Sequence, residues 1–135
     1  MSLVPRTLQI FETERFSVMS LSPFEARNLL AILLQDYPLA SRVSWLLDKS
    51  LGGALREAFG VELQTASGHI RVWGIVDRMR CMQTGAIIAR NSLEGIDVEV
   101  LVASQFWDDG IADEASEPVM EWLSDNTDAL ELNLR

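Results

Sequence analysis

The stretch that most constrains the fold is residues 96–124, where an apolar run leads through a glycine-containing turn into a helix-like segment. The run from Ile96 to Ala103 is nearly continuous in Val and Leu, which is typical of a strand covered on both faces. Backbone N–H groups at the start of the following helix lack partners within it, and the helix dipole places about half a positive charge there. Because Gly110 permits a tight turn or a close approach, the sequence predicts an anion-binding site at this junction.

Three aspartates, Asp108, Asp109 and Asp113, stand in the same junction. Two unit charges about 4 Å apart interact by roughly 4 kcal/mol at an effective dielectric constant near 20, so carboxylates beside a bound phosphate oppose its binding unless they turn to solvent. A structural alternative stays open, because acidic residues in the first turn of a helix stabilise that helix by about 0.3–1 kcal/mol each. The junction therefore predicts an anion site that its own charges weaken.

Residues 98–115 resemble the acetyl-CoA-binding segment of the GNAT-type N-acetyltransferases, and in particular the branch that acetylates protein N-termini and small amines. That segment joins a strand to the pattern aromatic-Trp-Gly-basic-Gly-x-Ala-Thr-Glu-Ala. Five positions match it: Trp107, Gly110, Ala112, Glu114 and Ala115. The aspartates depart from it, since Asp108 stands where the family has Gly, Asp109 where it has Lys or Arg, and Asp113 where it has Thr or Ser.

The resemblance implies that acetyl-CoA is the cofactor, at a site whose affinity for it is weakened or lost. By analogy with the family, the backbone of Leu101 and Val102 is expected to pair with the pantetheine arm. The diphosphate is expected on the backbone amides of Asp109, Gly110, Ile111 and Ala112. Asp97 or Glu99 is the candidate base that removes the proton of the acceptor amine, and a surface or cross-strand carboxylate is the alternative for each.

The rest of the chain predicts regular elements on both sides of a sheet. Residues 13–21 alternate polar and apolar side chains, which indicates a strand, and Ser22-Pro23-Phe24-Glu25 is a helix start with a capping box. Residues 40–59 favour one or two helices with a break at Gly52-Gly53, and residues 70–77 and 84–89 favour two further strands. The prediction is an α+β, three-layer GNAT-like fold with a mixed, mainly antiparallel sheet of about four strands and helices on both faces.

One GNAT-like domain is expected over residues 1–135, and the resemblance covers residues 8–135. It implies that the family's C-terminal strands are lacking, so that the fold ends after the helix that follows the fourth strand, with a short helical tail over 126–135. The strand at Ile96 to Ala103 is then left with an unpaired edge, which favours association. The sequence therefore predicts a homodimer or a larger homo-oligomer.

Composition excludes several kinds of partner. The net charge is −9, and residues 92–135 hold twelve acids against Arg135 alone, which disfavours binding to nucleic acid. His69 is the only histidine, which excludes a site with several histidine ligands, and no metal is expected. A lone Cys81 favours the reducing cytoplasm, and no apolar run approaches the ~20 residues that cross a bilayer.

Two functions follow as hypotheses. The first is an N-acetyltransferase that moves an acetyl group from acetyl-CoA to an amine, carried by a small molecule or a protein N-terminus, with activity weakened or lost by the acidic turn. The second is a catalytically inactive GNAT-like module that acts through protein–protein contacts. The acidic turn and the missing C-terminal strands argue for the second, and the five matching positions argue for the first.

Overall fold

The fold is built on one six-stranded sheet with helices on both faces. A computed structural model describes residues 9–93, 95–126 and 132–134. The strands are β1 (Ile10–Glu12), β2 (Phe16–Ser20), β3 (Ile70–Asp77), β4 (Met82–Asn91), β5 (Ile96–Val102) and β6 (Leu132–Leu134). The helices are α1 (Pro23–Leu33), α2 (Tyr37–Ala40), α3 (Leu51–Ala66) and α4 (Ile111–Asn126), and a 3-10 helix spans Ser104–Asp109 between β5 and α4.

The strands lie side by side in chain order. Neighbours from β1 to β5 pair antiparallel, and β6 pairs parallel to β5, with Ile96 opposite Leu132 and Val98 opposite Leu134. The α+β class, the mixed and mainly antiparallel sheet and the helices on both faces are confirmed.

The strand count and the end of the fold differ from the prediction. The sheet has six strands instead of about four, because β1 lies before the first predicted strand and β6 lies where a helical tail was expected. Both strands are three residues long, too short to show a period in the sequence, and pairing with a longer neighbour defines them. The fold therefore does not stop after the helix that follows β5, and β6 gives the first half of β5 the neighbour that it was expected to lack.

The helix starts follow from local hydrogen bonding. Glu25 N donates to Ser22 Oγ at 3.1 Å and Ser22 N donates to Glu25 Oε1 at 2.9 Å, so the predicted capping box is present. The predicted break at Gly52-Gly53 is wrong, because both glycines lie in the first turn of α3, which Ser50 caps. A Cβ on Gly53 would lie 2.0 Å from the Asp48 carbonyl oxygen, so this glycine allows a close approach.

Two hydrophobic cores lie on opposite faces of the sheet. One packs α1, α2 and α3 against residues such as Val72, Ile88 and Leu101, and the other packs α4 against the opposite face. Along β5 the side chains alternate, so that Leu101 enters the first core while Val98 and Val102 enter the second. Within the described residues, no helix combines the length and the apolar character that crossing a bilayer requires.

Candidate functional site

The candidate site is a cleft beside the second half of β5. Strand β6 pairs only with Ile96–Val98, so among the described residues no strand covers the outer edge of residues 99–102. The chain leaves the sheet after Val102 and enters the 3-10 helix, which opens a cavity of about 480 Å³. Its walls come from the loop after α2, from β5, and from the segment that leads into α4: Leu39, Arg42, Val43, Ser44, Glu99, Val100, Leu101, Val102, Phe106, Trp107, Gly110, Ile111, Ala112 and Asp113.

The start of α4 presents backbone donors to this cleft. Gly110 has φ 68°, in the left-handed region, which lets the chain reverse between the 3-10 helix and α4 without steric cost. The first bond within α4 runs from Glu114 N to Gly110 O at 3.3 Å, so the amides of Ile111, Ala112 and Asp113 precede it. All three residues line the cleft. Ile111 and Ala112 are two of the four residues whose amides were predicted to hold a diphosphate, and that role stays a prediction.

The three aspartates of the junction take different positions. Asp113 lines the cleft, whereas the exposed Asp108 and Asp109 do not. The Asp109 carbonyl oxygen accepts a hydrogen bond from Arg15 Nη2 at 2.7 Å, which ties the junction to the turn between β1 and β2. Only one of the three aspartates therefore lines the space in which an anion would lie.

A basic group that the sequence did not single out stands across the cleft. The Arg42 guanidinium lies 3.8 Å over the centre of the Trp107 ring, within the range of a cation–π contact. Trp107 Nε1 donates to Val102 O at 2.7 Å, which fixes the indole against the end of β5. Arg42 is 65 positions before Trp107, and no local sequence pattern marks it. Tertiary packing brings it to the cleft, because the short helix before it ends there.

The cleft also contains one of the two candidate bases. Trp45 Nε1 donates to Glu99 Oε1 at 2.7 Å, and the Arg90 guanidinium lies 4.9 Å over the Trp45 ring. Asp97 lies on the half of β5 that β6 covers, in register with Arg90 and Asn133, and it is not among the residues that line the cleft. The geometry thus separates the two acids, and a catalytic role for either stays a prediction.

Glu114 joins the site to the segment between β1 and β2. Its carboxylate accepts hydrogen bonds from Thr13 Oγ1, from Arg15 N at 3.0 Å and from Arg15 Nε at 2.7 Å. Burial raises the pKa of Glu114, but the hydrogen bonds from Thr13 and Arg15 outweigh it, so this pKa lies below its ordinary value. Glu114 is one of the five residues that match the family pattern, and in this fold it positions the start of α4.

Asp36 makes a second tie on the other side of the cleft. Ser104 donates to its carboxylate through N at 2.7 Å and through Oγ at 2.8 Å, and Leu39 N donates to it at 3.4 Å. Burial raises the pKa of Asp36, but these hydrogen bonds outweigh it and lower the pKa below its ordinary value. The contact fixes the junction of α1 and α2 to the first residue of the 3-10 helix.

The predicted cofactor residues converge on the cleft with one exception. Leu101, Val102, Gly110, Ile111 and Ala112 all line it, and Asp109 borders it without lining it. The Val102 carbonyl already accepts the Trp107 bond, which leaves it one lone pair for a further donor. Among the described residues, no group of three or more His, Cys, Asp or Glu side chains is placed to hold a metal ion.

Comparison with known proteins gives relatives by structure alone. No family model and no curated protein sequence matches the chain. The ribosomal-protein-S5-alanine acetyltransferase of Vibrio fischeri is 14% identical with a TM-score of 0.60, over 87% of this chain and 68% of that one. A GNAT-family acetyltransferase of Bacillus anthracis is 9% identical with a TM-score of 0.62, over 87% and 68%.

A third similar structure was solved with a ligand. RimL, a ribosomal L7/L12 alpha-N-protein acetyltransferase in complex with coenzyme A, is 11% identical with a TM-score of 0.64, over 86% of this chain and 68% of that one. At these identities the likeness concerns the fold. This chain has the fold of the GNAT-family acetyltransferases.

Proposed function

We propose that this protein transfers an acetyl group from acetyl-CoA to an amine. The observation that carries the proposal is the cleft in which an uncovered strand edge, the first amides of α4 and a carboxylate meet. A binding edge, an anion site and a proton acceptor are the three parts that this reaction requires. The exposed free thiol of Cys81 suits a reducing compartment, so we assign the protein to the cytoplasm.

The residues of the cleft fit acetyl-CoA. The uncovered edge of β5 offers backbone groups to which the amides of the pantetheine arm would add as a further strand would. Of the two residues predicted for this contact, Val102 turns its carbonyl to Trp107 on the open side, whereas the Leu101 carbonyl points to Gly85 of β4, so we assign the contact to Val102. The amides of Ile111 and Ala112 would hold the diphosphate, and Arg42, which lines the same cleft, would add a positive charge. When bound, acetyl-CoA would supply the activated acetyl thioester: the C–S bond breaks as the amine forms the new C–N bond, and coenzyme A leaves as a thiolate that takes a proton from water.

Glu99 is the residue that we assign to proton transfer. An ammonium group must lose a proton before it attacks; Glu99 lines the cleft, and its carboxylate would receive that proton directly or through water. The hydrogen bond from Trp45 occupies one carboxylate oxygen and fixes the orientation of the other. Similar structures include enzymes that act on ribosomal proteins, which supports a protein N-terminus or a small amine as the acceptor.

Asp113 limits the affinity of this site. Asp113 lines the cleft beside the residues whose amides would hold a diphosphate, so its negative charge would oppose the ligand while the positive charge of Arg42 would attract it. We therefore infer weaker binding of acetyl-CoA than a junction with a basic residue at position 109 would provide.

The same observation favours a second function. A carboxylate at the helix start suits a module that has lost acetyl-CoA binding and acts through contacts with other proteins. Calorimetric titration separates the two functions. Binding of acetyl-CoA supports the transferase. No heat of binding up to roughly 1 mM ligand, a Kd equivalent to about −4 kcal/mol, would reject the transferase in favour of the protein-binding module.

Replacement of Glu99 tests the chemistry. In Glu99→Gln the proton acceptor is lost while the shape is kept, so kcat for an amine acceptor should fall by about 10²–10⁴-fold with acetyl-CoA affinity nearly unchanged. Asp97→Asn is the matched control on the covered half of β5 and should leave kcat within about threefold. A loss of kcat in the control instead of in Glu99→Gln would assign the base to Asp97.

A further inference from the structure

An apolar row lies on the outer side of α3, away from the sheet. It consists of Leu51, Leu55, Phe59 and Leu63, which follow one another at intervals of four and are 60%, 49%, 46% and 55% exposed. The helix already buries Ala54, Ala58 and Val61 against the core. The outer row is therefore additional to the face that the fold uses, and it does not arise from packing within the monomer.

Neighbouring elements extend this row into a surface. The exposed Tyr37 and Leu51 line one cavity of about 320 Å³ between the end of α1 and the start of α3. Near the other end of α3, the Arg27 guanidinium lies 5.2 Å over the Phe59 ring and pairs with Glu62 at 3.0 Å. Phe24, 62% exposed, lies one helical turn before Arg27. We call the six exposed apolar residues the α3 face: Phe24, Tyr37, Leu51, Leu55, Phe59 and Leu63.

The size of the α3 face matches what a protein partner buries. Taking about 150–250 Å² for a fully exposed large side chain, the six residues present on the order of 600 Å². The largest apolar patch of a typical monomer is about 300–600 Å², and each partner in a stable complex buries about 800 Å² including polar atoms at the rim. The α3 face with Arg27, Arg56 and Glu62 around it reaches that range.

The charge distribution around the α3 face favours a second copy of this chain as the partner. Acidic residues crowd the opposite side of the sheet, where α4 carries exposed Asp113, Glu117, Glu121 and Asp125. Around the α3 face, Arg27 pairs with Glu62 and Arg56 pairs with Asp48, so positive and negative side chains are balanced. Two copies of a chain with net charge −9 therefore repel one another least when they meet through this face.

We propose that two copies of this chain form a dimer through the α3 face. The same row on both copies makes the contact isologous, with a two-fold axis that passes between Leu55 and Phe59. Rows spaced by four residues that interdigitate give a helix crossing angle near −50°. This interface differs from the strand edge that the sequence suggested, since β6 covers Ile96–Val98 and the cleft occupies the edge of residues 99–102.

Sedimentation equilibrium tests the proposal. The wild-type protein should be dimeric at roughly 100 µM, and Leu55→Glu, which places a charge at the centre of the contact, should raise the dimer Kd by about 100-fold. Leu93→Glu is the matched control, because Leu93 is fully exposed in the turn between β4 and β5. It should leave the dimer Kd within about twofold. A wild-type monomer, or a dimer indifferent to Leu55→Glu, overturns the proposal.

Cross-linking gives a second measurement that does not depend on the folding of a charged variant. In a Cys81→Ser background, Leu55→Cys should form a covalent dimer with a short bis-maleimide, and Leu93→Cys should not. Equal yields for the two positions would contradict the interface. A monomer that sediments with anionic lipid vesicles would instead assign the α3 face to a membrane surface and overturn the dimer. None of these outcomes bears on acetyl-CoA binding, so the proposed function and the dimer fail separately.

Discussion

The two halves of β5 differ more than their sequences do. Residues 96–98 lie between β4 and β6 and have strand neighbours on both sides, whereas residues 99–102 have β4 on one side and the cleft on the other. The side chains alternate in the same way along both halves, with acids at Asp97 and Glu99. The two halves thus have similar side chains, and the presence or absence of β6 determines which of the two acids lies at the cleft.

The open half is held firmly although one edge is uncovered. Ala103 N donates to Thr84 O at 2.9 Å, Trp107 closes over the Val102 carbonyl, and Ser104 binds Asp36. A free strand edge is usually a site of association, but here the turn, the indole and the carboxylate occupy its end. The open edge is therefore built into the fold, and substitutions at the residues that hold it should show how firmly.

The largest effect is expected for Gly85→Ala, opposite Val102 in the open half. A Cβ there would lie 2.2 Å from the Leu101 carbonyl oxygen, so β4 and β5 must separate, and the free energy of unfolding in urea should fall by about 3 kcal/mol. Gly60→Ala is the control, because a Cβ at Gly60 in α3 meets nothing within 4 Å. It should raise the free energy of unfolding by about 0.5–1 kcal/mol. Tolerance of Gly85→Ala would show a loosely held open half.

Asp36→Ala should have the next largest effect. It removes the acceptor of both Ser104 bonds, so the free energy of unfolding should fall by about 2 kcal/mol. The lowered pKa of Asp36 gives the sign of the pH dependence: its contribution is complete above the unfolded value of about 4 and is lost as pH falls through the lower folded value. Asp36→Asn should therefore show a shallower loss of stability than wild type between about pH 5 and pH 2. Parallel pH curves would contradict this role.

The smallest effect is expected for Arg42→Ala. Loss of the only guanidinium that lines the cleft among the described residues should raise the Kd for acetyl-CoA by about tenfold, or ~1.4 kcal/mol, measured by calorimetry at fixed salt. Arg56→Ala removes an exposed arginine that pairs with Asp48 and should change the Kd by less than about twofold. Equal Kd values for wild type and Arg42→Ala would mean that Arg42 serves only to cover Trp107.

Local signals predicted the local structure well. The capping box at Ser22 and Glu25, the apolar strand before the junction and the glycine at position 110 each depend on neighbours within a few residues, and all three are present in the structure. Leu101, Val102 and residues 110–112 lie together at the cleft because they belong to one continuous strand–turn–helix unit.

Contacts between residues that are distant in the sequence could not be predicted from local patterns. Three contacts join positions more than sixty residues apart: Arg42 with Trp107, Asp36 with Ser104 and Thr13 with Glu114. Trp107 and Glu114 matched the family pattern, but nothing in the local sequence marked Arg42, Asp36 or Thr13 as partners of this segment. The short strands β1 and β6 were missed for the related reason that pairing, not periodicity, creates them. Glu99 and Asp97 were inseparable in the sequence because only the register of β6 distinguishes them.

The cleft is walled by two distant parts of the chain, the loop around Arg42 and the segment from Glu99 to Asp113. A molecule bound there contacts both parts and therefore holds together segments that are distant in the sequence. A ligand present at 100 times its Kd raises the free energy of unfolding by about 2.7 kcal/mol. It lowers the population of unfolded protein, and with it the rate of proteolysis, by about 100-fold. The lifetime of this protein in a cell would then follow the supply of its own ligand.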